Sequence, residues 1–151
     1  MIILNIYKCL NEITKYIDDN LENKIDYDVL AKIMGVNSYT MHRIFSLIFG
    51  ISLAEYIRKR RLSNAGYDLY ETNAKVMDIA IKYQYDNATS FSRAFENFHN
   101  IKPSQVNKIS KLKSFPRIIL NEEITVTNEI EYKIIKKDEL ILYGLGIKTN
   151  N

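Results

Sequence analysis

Two arginines stand in matching surroundings fifty residues apart. Arg43 lies in Met41-His42-Arg43-Ile44-Phe45 and Arg93 in Phe91-Ser92-Arg93-Ala94-Phe95, each two places after an apolar residue and two before a phenylalanine. A turn-forming residue, Gly50 or Asn100, comes five places beyond each phenylalanine. A guanidinium is a planar fork of donors that matches guanine O6 and N7. Tyr39 and His42, beside the first arginine, add a ring for a thymine methyl, a hydroxyl for a phosphate and a ring nitrogen for a purine N7. The chemistry this set suits is recognition of base edges.

Bond-making chemistry finds little support. There is no nucleophile–base pair and no Gly-rich phosphate loop. Cys9 is the single cysteine, so no internal disulfide can form, and its apolar flanks suit a small core hydrophobe in a reducing cytoplasm. His42 and His99 are the two histidines and lie far apart, which argues against a metal site, and no cofactor is expected. The first ten residues, MIILNIYKCL, have no basic segment ahead of them and are interrupted by Lys8. They read as neither a signal peptide nor a membrane span, and a cytoplasmic location with no membrane partner is expected.

Reading heads need elements to hold them. Ahead of each arginine lies a short helical pattern centred on an alanine, Ala31 or Ala80, as a helix-turn-helix requires where the second helix crosses the first. The first copy has Gly35 at its turn and Met41 early in the following helix. The second copy has Gln84 at the turn and a link one residue longer. Leu10, Ile13, Ile17 and Leu21 mark an amphipathic helix over about Asn5–Leu21. Asp26 can cap a helix over Tyr27–Met34, and Asn37 or Ser38 one over Ser38–Phe49 that Gly50 closes. A long helix over Leu53–Tyr70 follows, with Gly66 inside it for close packing. Thr72 or Asn73 caps Val76–Tyr83, Asn87 caps Ala88–His99, and Pro103 opens a last short helix to near Ser110.

With Met41, Ile44, Phe45 and Ile48 inward, the start of the third helix presents Asn37, Ser38, Tyr39, His42 and Arg43. With Phe91, Phe95 and Phe98 inward, the sixth presents Asn87, Ala88, Thr89, Ser92 and Arg93. The run Arg58-Lys59-Arg60-Arg61 reads as a solvated basic helix face. Arg58, Lys59 and Arg61 are candidates for phosphate contact, with Arg61 alternatively bracing neighbouring helices. The eighteen-residue linker is about 27 Å long, near the roughly 34 Å between successive major-groove faces. One chain can thus span two turns of double-stranded DNA.

From Phe115 the pattern changes to short β-rich runs: Ile118-Ile119-Leu120, Ile124-Thr125-Val126, Ile130–Ile134 and Leu140–Tyr143. Residues 1–112 are therefore expected to form an all-α domain of about seven helices, two helix-turn-helix subdomains joined by a long helix. Residues 113–151 form a β-rich extension that looks like the opening of a further domain. The net charge of +3 is concentrated ahead of it. Residues 1–113 hold 16 Lys and Arg against 12 Asp and Glu, and residues 114–151 hold 5 against 6.

The helical part, about Asn5 to Ser110, resembles the DNA-binding domain of the AraC/XylS family of bacterial transcription regulators. The resemblance rests on Ala31–Asn37, Arg43-Ile44-Phe45 with Phe49-Gly50, Leu53–Ile57 with Arg61-Leu62, Ile79–Tyr83, and Ser90–Phe95 followed by Pro103-Ser104. It implies base reading by Tyr39, His42 and Arg43 in the first motif and by Asn87, Ala88, Thr89, Ser92 and Arg93 in the second. It also implies a transcription activator with RNA polymerase as a partner. Gln84 and Asn100 replace usual turn glycines, and Val106 stands where the family often has Tyr. The tail, through Ile130–Ile135 and Leu142–Gly146, is similar to the start of a gyrase-inhibitor-like effector domain, which implies a small-molecule effector. On the other reading, the chain is a piece of such a sensing regulator that works as an effector or polymerase interaction module.

Overall fold

The computed structural model describes residues 2–121, 133–137 and 140–144. Six α-helices run in chain order: α1 Ile2–Asp19, α2 Tyr27–Met34, α3 Ser38–Phe49, α4 Leu53–Glu71, α5 Val76–Lys82 and α6 Ala88–His99. A single 3₁₀ turn, Pro103–Gln105, follows. The fold is therefore mostly helical, with two helix-turn-helix units, α2–α3 and α5–α6, joined by α4.

The two units are alike down to their hydrogen bonds. In the first, Gly35 at φ 68° ends α2, its N–H donating to Lys32 O and that of Val36 to Ala31 O. In the second, Gln84 at φ 65° takes the same place, its N–H donating to Ile81 O and that of Tyr85 to Ala80 O. Both alanines are buried, since a larger side chain would hold the crossing helices apart. Asn37 and Asn87 then cap the second helices, accepting from Thr40 N and Ser90 N, each at 2.8 Å. Gly50 and Asn100 end those helices in the left-handed region, with bonds to Ser46 O and Glu96 O.

One apolar core runs through the helical part. Met41 and Phe45 of α3 and Phe91 and Phe95 of α6 are fully buried at equivalent places. Phe45 meets Tyr56 of α4 edge-on at 5.4 Å, which seats the first unit on the linker helix. Gly66 seats the second: a Cβ there would stand 2.7 Å from the His99 ring of α6. The expectation of close packing at this glycine is met.

Several expectations are corrected. The last helix is one 3₁₀ turn, not a helix to Ser110, because Val106 is extended and a separate turn over Asn107–Ser110 follows. Thr72 ends α4, its hydroxyl donating to Asp68 O, and α5 starts after Lys75 without a side-chain cap. Ile44 is only half-buried and borders the outward side of α3. Arg60 breaks the basic run as a solvated face. It is buried, donates from Nε and Nη2 to the Asp18 carboxylate at 2.9 Å each, and donates from Nη1 to Phe115 O.

Past α6 the chain runs back along the helical part. Lys113 N–H donates to His99 Nδ1 at 3.1 Å, Phe115 N–H to Ser63 Oγ at 2.9 Å and Ile118 N–H to Tyr56 Oη at 3.3 Å. Asn11 then pairs with Leu120 through both amide groups, at 2.8 and 2.7 Å. Strand β1, Ile119–Leu120, lies parallel to β3, Leu140–Gly144, and β3 lies antiparallel to β2, Lys133–Lys137, in the order β1-β3-β2. The expected strand at Ile124–Val126, the first residues of the Ile130–Ile134 run and the pair Leu145-Gly146 lie outside the described residues.

Candidate nucleic-acid interface

The outward side of α3 forms an open groove of about 650 Å³ whose lining includes Tyr39, His42, Arg43 and Leu47. Tyr39 is 71% exposed, and the Arg43 guanidinium carbon sits 5.7 Å from its ring centroid. This cation–π contact restricts the arginine without using its donors. His42 is half-buried, with its ring 5.2 Å from that of Tyr27 on α2. Ser38 is half-buried at the first residue of α3. Asn37 is exposed; its Oδ1 serves the cap, and its amide keeps two N–H donors.

The second groove, about 360 Å³, runs along α6 beside the 3₁₀ turn. Ala88, Thr89, Ser92 and Arg93 line it together with Lys102 and Ser104. Thr89 and Arg93 are exposed, while Ala88 and Ser92 are half-buried. Asn87 caps α6, as Asn37 caps α3. Each set of expected readers is thus gathered on one groove, except that Ser38 and the capping asparagines Asn37 and Asn87 do not line either one.

Other residues of these grooves, Leu47, Lys102 and Ser104 among them, are not among the readers expected from sequence. Leu47 is 85% exposed on α3. It falls four places after Arg43 and eight after Tyr39, so the outward stripe itself carried the signal. Lys102 and Ser104 flank Pro103, and only the fold brings them beside Arg93.

The phosphate candidates divide. Arg58 pairs with Glu55 and is exposed, and Lys59 lies 3.7 Å from the same carboxylate. Both line a shallow cavity of about 180 Å³ with Ala94, Asn97 and Phe98 of α6. Arg61 differs: its Nε donates to Leu21 O at 2.9 Å and its Nη2 to Asn23 O at 2.7 Å. Its guanidinium is committed to the α1–α2 link, so it braces the fold and is withdrawn from the phosphate set.

Among the described residues, no group of three or more His, Cys, Asp and Glu is placed to hold a metal ion. No described helix is long and apolar enough to cross a membrane. His99 is buried as a neutral ring: Nδ1 accepts from Lys113 N–H, leaving Nε2 to donate to Leu62 O at 2.9 Å. Burial pushes its pKa below the ordinary histidine value.

Two units of one design, each with a capped, outward-facing second helix, match known proteins. A family model described as "Helix-turn-helix domain" covers residues 30–109. The chain belongs to the AraC-type helix-turn-helix family. It is 40% identical over 95 residues to the HTH-type transcriptional activator AarP of Providencia stuartii, covering 63% of this chain and 70% of that one. It is 38% identical over 101 residues to AdaA of Bacillus subtilis, a bifunctional transcriptional activator and DNA repair enzyme, covering 67% of this chain and 48% of AdaA. A solved AraC-type regulator from Chromobacterium violaceum shares the fold, with a TM-score of 0.60 at 24% identity over 65% of this chain and 88% of that one.

Proposed function

We propose that this chain is a sequence-specific transcription regulator that binds two adjacent major-groove segments of double-stranded DNA as a monomer. The observation that carries the reading is the duplication of an exposed helix start. Tyr39 and Arg43 stand on one such helix and Thr89 and Arg93 on the other, each helix capped by an asparagine. In a helix-turn-helix this end of the second helix meets base edges. Arg43 and Arg93 are the guanine readers of the proposal. Tyr39, Leu47 and Ala88 supply apolar contacts, and Arg58 and Lys59 phosphate contacts. The nineteen residues of α4, about 28 Å, suit the roughly 34 Å between successive groove faces.

Activation through RNA polymerase is the expected output, because AarP is named an activator. The reading unit is residues 1–112. Residues 113–151 are the opening of an effector-binding domain of the gyrase-inhibitor-like kind, supported by the β1-β3-β2 sheet. The role in this reading is binding, without enzymatic chemistry.

Selection of bound sequences from a random duplex pool by this chain alone tests the proposal. Two blocks of base preference, about ten base pairs apart, are expected. Enrichment of a single block, or of none, would refute it.

A further inference from the structure

The turn of the second unit presents a puzzle. Left-handed backbone strains any residue with a Cβ, and glycine is the usual solution. Gly35 solves it that way in the first unit, with nothing within 4 Å of the place a Cβ would take. At the equivalent place Gln84 holds φ 65° and bears the strain.

Its side chain shows what offsets that strain. Gln84 Nε2 donates to Glu22 O at 2.7 Å, sixty-two residues back, on the link between α1 and α2. The residues around it do the same. Lys82 Nζ lies 3.3 Å from the Glu22 carboxylate and 2.7 Å from that of Asp68 on α4. Tyr83 Oη donates to Asp68 at 2.8 Å. Arg61 of α4 holds Leu21 O and Asn23 O of the same link. The end of α5, the stretch of α4 from Arg61 to Asp68 and the α1–α2 link are therefore tied together. None of these residues lies on α3 or α6, and none lines either groove.

We propose that Gln84, with Lys82 and Glu22, is a positioning device that fixes the orientation of the second helix-turn-helix unit relative to the first, and so sets the base-pair spacing at which both can read DNA. A single helix such as α4 leaves bending and twisting between the units. A cross-tie from the second turn to the first subdomain removes that freedom before binding, which favours one spacing and penalises others. The DNA half of this inference rests on the function proposed above; the orientation half concerns the free protein.

Gln84→Gly separates the device from simple stability. It removes the bond to Glu22 O and relieves the left-handed strain, so the fold is expected to keep its thermal midpoint. Lys82→Met removes both ion pairs of the tie and serves as the second variant. Residual dipolar couplings on the free proteins come first. One alignment tensor should fit residues 6–50 and 76–105 of the parent, and the two segments of each variant should need different tensors. Binding is then measured on the selected site and on the same site with two base pairs inserted between its blocks. The insertion moves one block by about 7 Å and about 70°. The parent should lose at least about tenfold in affinity, and Gln84→Gly no more than about threefold. A variant with one tensor and the parent's spacing penalty overturns the inference. A parent with one tensor but no two-block site refutes the function proposed above, while the couplings of the variants still decide the orientation claim.

Discussion

Gly66→Ala is a sharp test of how the second unit sits on α4. On propensity alone, alanine in mid-helix should stabilise by about 1 kcal/mol. The structure reverses that sign. The new Cβ would lie 2.7 Å from both Cε1 and Nε2 of His99, and 3.4 Å from Leu112 Cδ1. Carbon contacts settle at about 3.5–4.0 Å, so the ring has to retreat by roughly 1 Å. It has nowhere easy to go. Nε2 is bonded to Leu62 O, Nδ1 accepts from Lys113 N–H, and the ring packs on Phe95 at 4.2 Å and Phe98 at 4.7 Å. Overpacking costs about 1–3 kcal/mol, and a lost buried hydrogen bond about as much again. Less the propensity gain, the net loss is about 3 kcal/mol. Urea unfolding followed by circular dichroism should show the midpoint falling by roughly 1–2 M. In a His99→Ala background the ring is gone and the penalty should vanish. Equal or greater stability of Gly66→Ala in the parent background would show that α6 is not seated on this glycine.

Three further outcomes follow from the same geometry. Arg43→Ala, whose side chain is exposed and stacked on Tyr39, should lower affinity for the selected site by about 1–3 kcal/mol and relax preference at one base pair, with no change in thermal midpoint; unchanged discrimination in a binding assay would remove it from the readers. Asp18→Ala strands the buried Arg60 guanidinium and should cost about 3–5 kcal/mol in urea unfolding, whereas a loss below about 1 kcal/mol would mean that water reaches the arginine. His99 sets a pH dependence: its pKa is depressed in the fold, so the unfolded chain takes up the proton first, and stability complete above about pH 6.5 is lost as the pH falls below it. Protonation at Nδ1 would face a donor with a donor, so exchange of the Lys113 amide, corrected for intrinsic rate, should accelerate over that range; steady protection would contradict the assigned tautomer.

What was legible in the chain was whatever signals locally. The spans Tyr27–Met34, Ser38–Phe49 and Ala88–His99 emerge as expected because Asp26, Asn37 and Asn87 cap them through bonds two or three residues away. The outward placement of the two duplicated helix faces was also legible locally, since periodicity alone puts Tyr39 and Arg43 opposite Met41 and Phe45. Long-range commitments were not. Arg60 and Arg61 look like their basic neighbours until Asp18 and the Leu21 and Asn23 carbonyls arrive from about forty residues back. Thr72 looks like a helix start, yet its hydroxyl closes the preceding helix. Gln84 reads as a poor turn residue, and its purpose becomes visible only when the α1–α2 link is brought alongside.

The most direct measurement is a high-resolution footprint on the selected duplex, taken together with the binding stoichiometry. One chain per duplex, protecting two major-groove segments about ten base pairs apart on the same face, is the expected result. Two chains per duplex, or a single protected segment, would contradict a molecule that carries both reading heads on one body.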